Sequence, residues 1–124
     1  VARSKAFLGI KRDVLLITAA IPPGALTTFG SIGAYMSVIP RQVAYILATL
    51  TDDEQRSVPW YRVVGEGGKL GTLKVDALGR SQEALLLAEG VAVRLGVVAD
   101  FAARFIDAAA LEHEVEAHRR YLDE

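Results

Sequence analysis

The chain predicts a mostly α, winged helix-turn-helix-like domain with a short β hairpin or wing and a long C-terminal helix. Three observations carry that prediction. Two short helical segments are separated by only about three residues, the spacing of a helix-turn-helix. A glycine-rich stretch, GEGGKLG at 65–71, follows a short valine pair and reads as a wing. The last quarter of the chain repeats apolar residues at helical spacing. At 124 residues, 52% hydrophobic and 23% charged, the chain suits one body with a real core.

The elements follow in order. A first helix is expected over 11–20, with Val14, Leu15, Ile17 and Ile21 largely on one side, ended by Pro22-Pro23. Pro23-Gly24 marks a turn. Thr27 or Thr28 can cap a helix over 29–36 by accepting a backbone N–H. Ser37-Val38-Ile39 connects it to a third helix over 40–50, where Pro40 occupies the first turn at no cost in hydrogen bonds. Val43, Ile46, Leu47 and Leu50 share one face of that helix. TDDEQRS at 51–57 reads as a charged loop, and RVV at 62–64 as a short strand. Ser81 caps a helix reaching Glu89, with Gly90 as its C′ residue. The tail, 98–123, is expected as one amphipathic helix with Phe101, Phe105, Ala108, Leu111, Val115 and Leu122 on its stripe. That stripe either folds back on the domain or pairs with a second copy of the chain. The organisation expected is therefore a domain over 1–97 and a helical extension over 98–124.

Composition excludes several chemistries. There is no cysteine, hence no disulfide, no thiolate metal site and no thiol nucleophile. The run VLLITAAI stops at Pro22, far short of a membrane span, and VARSKAF lacks the apolar core of a signal peptide. A cytoplasmic location with no membrane partner is the expectation. His113 and His118 lie five apart, a spacing that does not bring both to one metal, so neither metal nor cofactor is expected. The glycines of 65–71 are not followed by the Lys-Ser/Thr pair of a phosphate-binding loop. Net charge is −1, but residues 1–80 carry +4 and residues 81–124 carry −5. A basic body is compatible with a polyanion on one face, and equally with a solvated acidic tail.

Chemistry then centres on VPWYRVV, 58–64. Adjacent Trp60 and Tyr61 after a proline are either core or the wall of a pocket for something flat. Base–aromatic contact in such a pocket is worth about 1–3 kcal/mol.

Four blocks in this order resemble one family: IPPGALTTFGSIG (21–33), PRQVAYIL (40–47), VPWYRVV (58–64) and LLLAEG (85–90). They are similar to the C-terminal domain of O6-alkylguanine-DNA alkyltransferases, over roughly residues 8–95. In that family the third block reads Pro-Cys-His-Arg-Val, and the Cys accepts the alkyl group. Trp60 stands in the Cys position, as in the alkyltransferase-like proteins, which bind alkylated guanine without repairing it. The resemblance implies no enzymatic activity, because alkyl transfer needs a thiolate. It implies instead recognition of O6-alkylguanine in duplex DNA by nucleotide flipping, and flagging of the lesion for nucleotide excision repair proteins. The implied lesion pocket is Trp60, Tyr61, Val63 and Val64; the implied DNA contacts are Arg41, Phe29, Thr28, Gln42, Ala44 and Lys69. Arg41 matches the family's arginine finger, which fills the gap left by the flipped base. Ala44 and Ala48 would let the third helix approach the minor groove closely.

Departures from the family pattern weigh on this reading. Phe29 replaces a Tyr and loses a hydroxyl, worth about 1 kcal/mol as a hydrogen bond. Tyr61 replaces a His whose relay has no purpose without Cys. Tyr45 is bulkier than usual, and the turn before Arg41 is shorter. Glu89 matches the family's relay Glu but reads as structural, and Arg62 as an internal brace. The alternative functions are a general DNA-binding or regulatory domain that has lost flipping, and an interaction module that dimerises through its C-terminal helix.

Overall fold

The computed structural model describes residues 5–71 and 75–123. Its first helix, α1, runs Lys5–Ala20, earlier than the expected start. Phe7 and Ile10 extend the apolar spacing of Val14, Ile17 and Ile21 backwards and pack against the same core. A two-residue strand, β1 (Thr27–Thr28), leads into α2 (Phe29–Met36). Thr28 is the expected cap; its hydroxyl accepts from the Ser31 N–H at 2.9 Å. Ser37 ends α2 in the left-handed region, and α3 (Pro40–Ala48) begins with its proline in the first turn.

The turn between α2 and α3 is tight because Gly33 has no side chain. A Cβ there would stand 2.6 Å from the Val38 carbonyl oxygen and 3.3 Å from the Pro40 nitrogen. Both obstacles are backbone, so neither can swing aside. Gly33→Ala is expected to destabilise the domain by about 1–3 kcal/mol, with the helix pair forced apart. A urea titration followed by the fluorescence of Trp60, the single tryptophan, reads the change directly.

The segment expected as a charged loop is instead a short helix, α4 (Asp52–Ser57). Thr51 and Glu54 form a reciprocal capping box: the Glu54 N–H donates to the Thr51 hydroxyl at 3.2 Å, and the Thr51 N–H donates to Glu54 Oε1 at 2.9 Å. The three acidic residues then sit in the first turn, where the helix dipole favours them. The same capping shortens α3, because Thr49 turns its hydroxyl back to the Tyr45 carbonyl and Thr51 starts the next helix.

Trp60–Arg62 form one 3-10 turn and Val63–Val64 the strand β2. β2 pairs in parallel with β1, Thr27 with Val63 and Thr28 with Val64. This contact, between segments more than thirty residues apart, sets the start of α2 beside the tryptophan turn. Ser81 caps α5 (Gln82–Ala88) as expected, and Gly90 has the positive φ of a C′ glycine.

The wing is built from more pieces than expected. An antiparallel hairpin, β3 (Val93–Arg94) with β4 (Val97–Val98), turns at Leu95-Gly96, both at positive φ. Lys69 bridges to Val97 and the Leu70 N–H donates to the Gly96 carbonyl, so the 65–71 stretch leans on this hairpin.

The tail corrects the expectation of one long helix over 98–123. Only α6 (Phe101–Arg104) and α7 (Glu112–Asp123) are α-helical, separated by extended Phe105 and a 3-10 turn at Ala108–Leu111. Tertiary partners outbid local helical spacing here. The Leu26 N–H donates to the Arg104 carbonyl and the Ile106 N–H to the Leu26 carbonyl, which draws the chain out beside residue 26. Asp107 then accepts from the Ala109 N–H and the Ser31 hydroxyl, while the Ala108 N–H donates back to Ser31. α7 folds onto α1, burying Val115 fully, and Arg119 pairs with Asp13 and Glu116. The stripe once available for a second copy is thus covered within the chain at Ala108, Leu111 and Val115. Leu122, the last stripe residue, lies outside the described side chains.

The main core joins α1, α2, α3, Trp60 and the tail; a smaller one gathers Leu26, Leu86, Val91 and Val98. No helix among the described residues is long and apolar enough to cross a membrane.

Candidate nucleic-acid interface

A cleft of about 250 Å³ opens between the helix pair and the tryptophan turn. Its walls are Phe29 at the start of α2, Ala44, Leu47 and Ala48 of α3, Trp60, Val63, Gly71, and Gln82 of α5. Trp60 is 4% exposed, so it is both core and wall: most of the indole is packed and the remainder faces the opening. Tyr61 meets it edge-on, with ring centroids 5.8 Å apart at 87°.

Arg41 lies on the second residue of α3 and is exposed. Among the described residues it has no ion pair, and the acidic residues at 52–54 turn to other partners, Asp53 to Arg56 and Glu54 to Lys11. Arg41, Ala44 and Ala48 follow at steps of three and four, which puts them along one side of the helix. The free guanidinium and the small-residue edge of the cleft therefore share a surface. Gln42 is half-buried and outside the cleft. Tyr45, beside this edge, is 46% exposed and makes an edge contact with Phe7.

Not every expected site residue joins this cleft. Val63 lines it, but Val64 is buried in the β1–β2 pair and does not. Thr28 is buried and occupied as a helix cap. Lys69 is exposed on the wing, away from the cleft walls. Tyr61 points the other way, donating its hydroxyl to Glu89 Oε2 at 2.9 Å. Its hydroxyl is thus engaged outside the cleft that Trp60 walls.

Behind the turn, Glu89 is the hub of a brace. Arg62 donates to both carboxylate oxygens through Nε at 3.0 and 3.1 Å, and closes the pair through Nη2. The Gly24 N–H donates to Glu89 Oε1 at 3.0 Å, and Arg62 Nη1 donates to the Ile21 carbonyl at 2.7 Å. The Arg62 guanidinium also lies 5.5 Å from the centre of the Tyr61 ring. This matches the structural reading of Glu89 and the internal reading of Arg62. Burial alone would raise the Glu89 pKa, but hydrogen bonds from Arg62, Gly24 and Tyr61 outweigh it and hold the carboxyl below its usual value. A carboxylate with a depressed folded pKa stabilises fully above its unfolded pKa, about 4.3, and loses that contribution as pH falls through the folded value. Thermal melts from pH 7 down to about 3 should therefore show a decline below roughly pH 4.5 that flattens in Glu89→Gln.

Leu47, Gly71 and Gln82 line the cleft without having been expected there, and the polar one is Gln82. It sits one position after a helix cap, where nothing in the local pattern separates it from an ordinary first-turn polar residue. A larger groove, about 480 Å³, runs between α1, α4 and α7. Of the VPWYRVV motif it takes only Val58, and the Lys11–Glu54 ion pair lies on its wall. Size gives it no claim over the smaller cleft, where the motif side chains converge. Among the described residues no group of His, Cys, Asp and Glu is placed to hold a metal ion.

A helix pair presenting an exposed arginine, a wing, and an aromatic cleft behind the second helix together define a winged helix-turn-helix-like class of domain. Comparison with known proteins makes this specific. The chain belongs to the family described as 6-O-methylguanine DNA methyltransferase, DNA binding domain, whose model matches residues 9–91. It is 42% identical over 80 residues to a DNA base-flipping protein of Escherichia coli (strain K12), and equally to one of Shigella flexneri. Those matches span 62% of this chain and 58% of each relative's length. Its fold is similar to S. pombe Atl1 in complex with damaged DNA containing O6-carboxymethylguanine, with a TM-score of 0.66 and 25% identity over 85% of this chain and 98% of the other. A second structure, of S. pombe ATL in complex with DNA, matches equally well.

Proposed function

We propose that the chain recognises O6-alkylguanine in duplex DNA without chemistry, turning the damaged nucleotide out of the helix and holding it in the Trp60 cleft. The observation that carries this reading is the cleft itself: an indole forms its wall in a chain with no cysteine anywhere in its 124 residues. An indole offers a flat face and an N–H donor but no nucleophile, so the alkyl group stays on the base. Arg41 fills the vacated stack, offsetting part of the few kcal/mol that extrusion costs. Ala44 and Ala48 admit the backbone of α3 to the minor groove, with Gln42 and Lys69 along the flanking phosphates. Since nothing is turned over, the complex serves as a marker, handing the lesion to nucleotide excision repair proteins. A cytoplasmic location beside the chromosome goes with that role.

The test is a titration of fluorescent duplexes with and without one O6-methylguanine, at two salt concentrations. Preference for the lesion of at least about tenfold, or 1.4 kcal/mol, supports the proposal. Equal affinity with a steep salt slope assigns general DNA binding instead, an outcome that the missing hydroxyl of Phe29 would favour. Absence of binding to either duplex leaves an interaction module.

A further inference from the structure

We propose that a second cleft, behind the tryptophan turn, is the docking site for an acidic protein segment that carries an apolar side chain. The cleft measures about 340 Å³ and lies between α4, the turn Trp60–Arg62 and the start of α5. It shares none of its described lining residues with the Trp60 cleft. The proposal therefore stands whether or not the Trp60 cleft holds a base.

Charge sets the kind of partner. Arg56, Arg62 and Arg80 all line this cleft, and among its described lining residues none is acidic. The larger groove beside α1 is a contrast, since Lys11 and Arg12 share its wall with Glu54. Arg62 is committed to Glu89 and the Ile21 carbonyl, so it belongs to the floor. Arg56 and Arg80 form the rim. Arg80 gives Nε and Nη2 to Asp76, whose 6% exposed side chain already accepts the N–H groups of Leu78 and Arg80. The Arg80 side chain is itself 52% exposed, and its Nη1 has no partner among the described residues. Arg56 meets Asp53 at 3.4 Å with both side chains exposed, a pair of little worth that a partner readily replaces. Two exposed guanidiniums offer planar, paired donors, the complement of a carboxylate.

The floor narrows the choice further. Pro59, Leu85 and the ring of Tyr61 lie there, partly exposed, with the Tyr61 hydroxyl held by Glu89. A phosphate chain would meet the cations and leave this apolar surface uncovered. A peptide with carboxylates beside a leucine or phenylalanine satisfies both. Gln55 Oε1 accepts the Ala77 N–H at 2.8 Å, which holds together the two elements that carry Arg56 and Arg80. A rim fixed in advance loses little freedom on binding. Arginine and tyrosine are also the residues on which protein interfaces most often rely.

The experiment follows the anisotropy of a fluorescein-labelled peptide of glutamates interrupted by leucines. Arg56→Gln with Arg80→Gln is expected to weaken binding about fivefold or more. Arg94→Gln, which removes an exposed cation from the β3–β4 hairpin, should change it by less than about twofold. Replacing the leucines of the peptide by serine should also weaken binding. Because Arg80 supports its own turn, Arg56→Glu alone is the second variant; its pair is exposed, so the fold should hold in urea titration while the peptide is lost. Absence of binding at about 1 mM peptide overturns the proposal. So does equal loss in Arg94→Gln, or indifference to the leucines. Tighter binding of oligothymidylate, lost on the same substitutions, assigns the cleft to nucleic-acid phosphates instead. Self-association in sedimentation that Arg56→Glu abolishes assigns it to a second copy of the chain, and likewise overturns it.

Discussion

Glu89→Ala should cost the fold about 3–5 kcal/mol, the largest loss expected from any single exchange considered for this protein. The Arg62 and Glu89 side chains are only 12% and 14% exposed. Removing the carboxylate leaves a buried guanidinium with the Ile21 carbonyl as its one remaining hydrogen-bond acceptor among the described residues, and strands the Tyr61 hydroxyl and the Gly24 N–H. Each orphaned group carries its own desolvation penalty. Urea unfolding at pH 7 would measure the change. Adding Arg62→Leu to Glu89→Ala should restore part of the loss, since the two side chains act as one unit. A loss below about 1 kcal/mol would place the pair with solvated surface bridges. The consequence for function is indirect but specific: the brace holds the back of the turn whose front is Trp60, so lesion binding should weaken as the fold loosens.

Arg41→Ala is expected to remove most of the preference for a lesion-bearing duplex, at least about tenfold, while leaving the unfolding free energy within about 0.5 kcal/mol. The split between the two readouts is what identifies the role. Arg41 is exposed and unpaired among the described residues, so the folded chain gains little from it. Its proposed work appears only when a base leaves the stack, where a planar guanidinium can both stack and donate. Arg41→Lys separates these contributions, because an ammonium keeps the charge and loses the plane. Lesion preference that survives Arg41→Ala would remove the finger from the proposal, though not the cleft.

Much of the frame was legible because local rules govern it. Thr28 and Ser81 cap their helices, Pro40 opens the third, and Gly90 closes the fifth, each within a few residues of the group it satisfies. Two further local signals belong to the same class: the Thr51–Glu54 capping box of α4 and the Leu95-Gly96 turn of the last hairpin. The tail is a different case. Its apolar repeat is genuine, and Ala108, Leu111 and Val115 are buried as that repeat implies. The chain nevertheless leaves the helix at Phe105, because backbone groups of Leu26 bind there. No window of neighbouring residues contains that partner.

The candidate site divides in the same way. Composition alone established that this chain has no thiol to alkylate, and the order of residues alone set an indole directly after Pro59. Those are properties of covalent structure, untouched by folding. Which of two adjacent aromatics would face the opening was decided by a glutamate twenty-eight positions away that claims the Tyr61 hydroxyl. Gln82 joined the cleft wall only because its amide donates to two carbonyls from another segment. A side chain's direction depends on partners brought near by packing, and distance in space between such partners is not encoded in their distance along the chain.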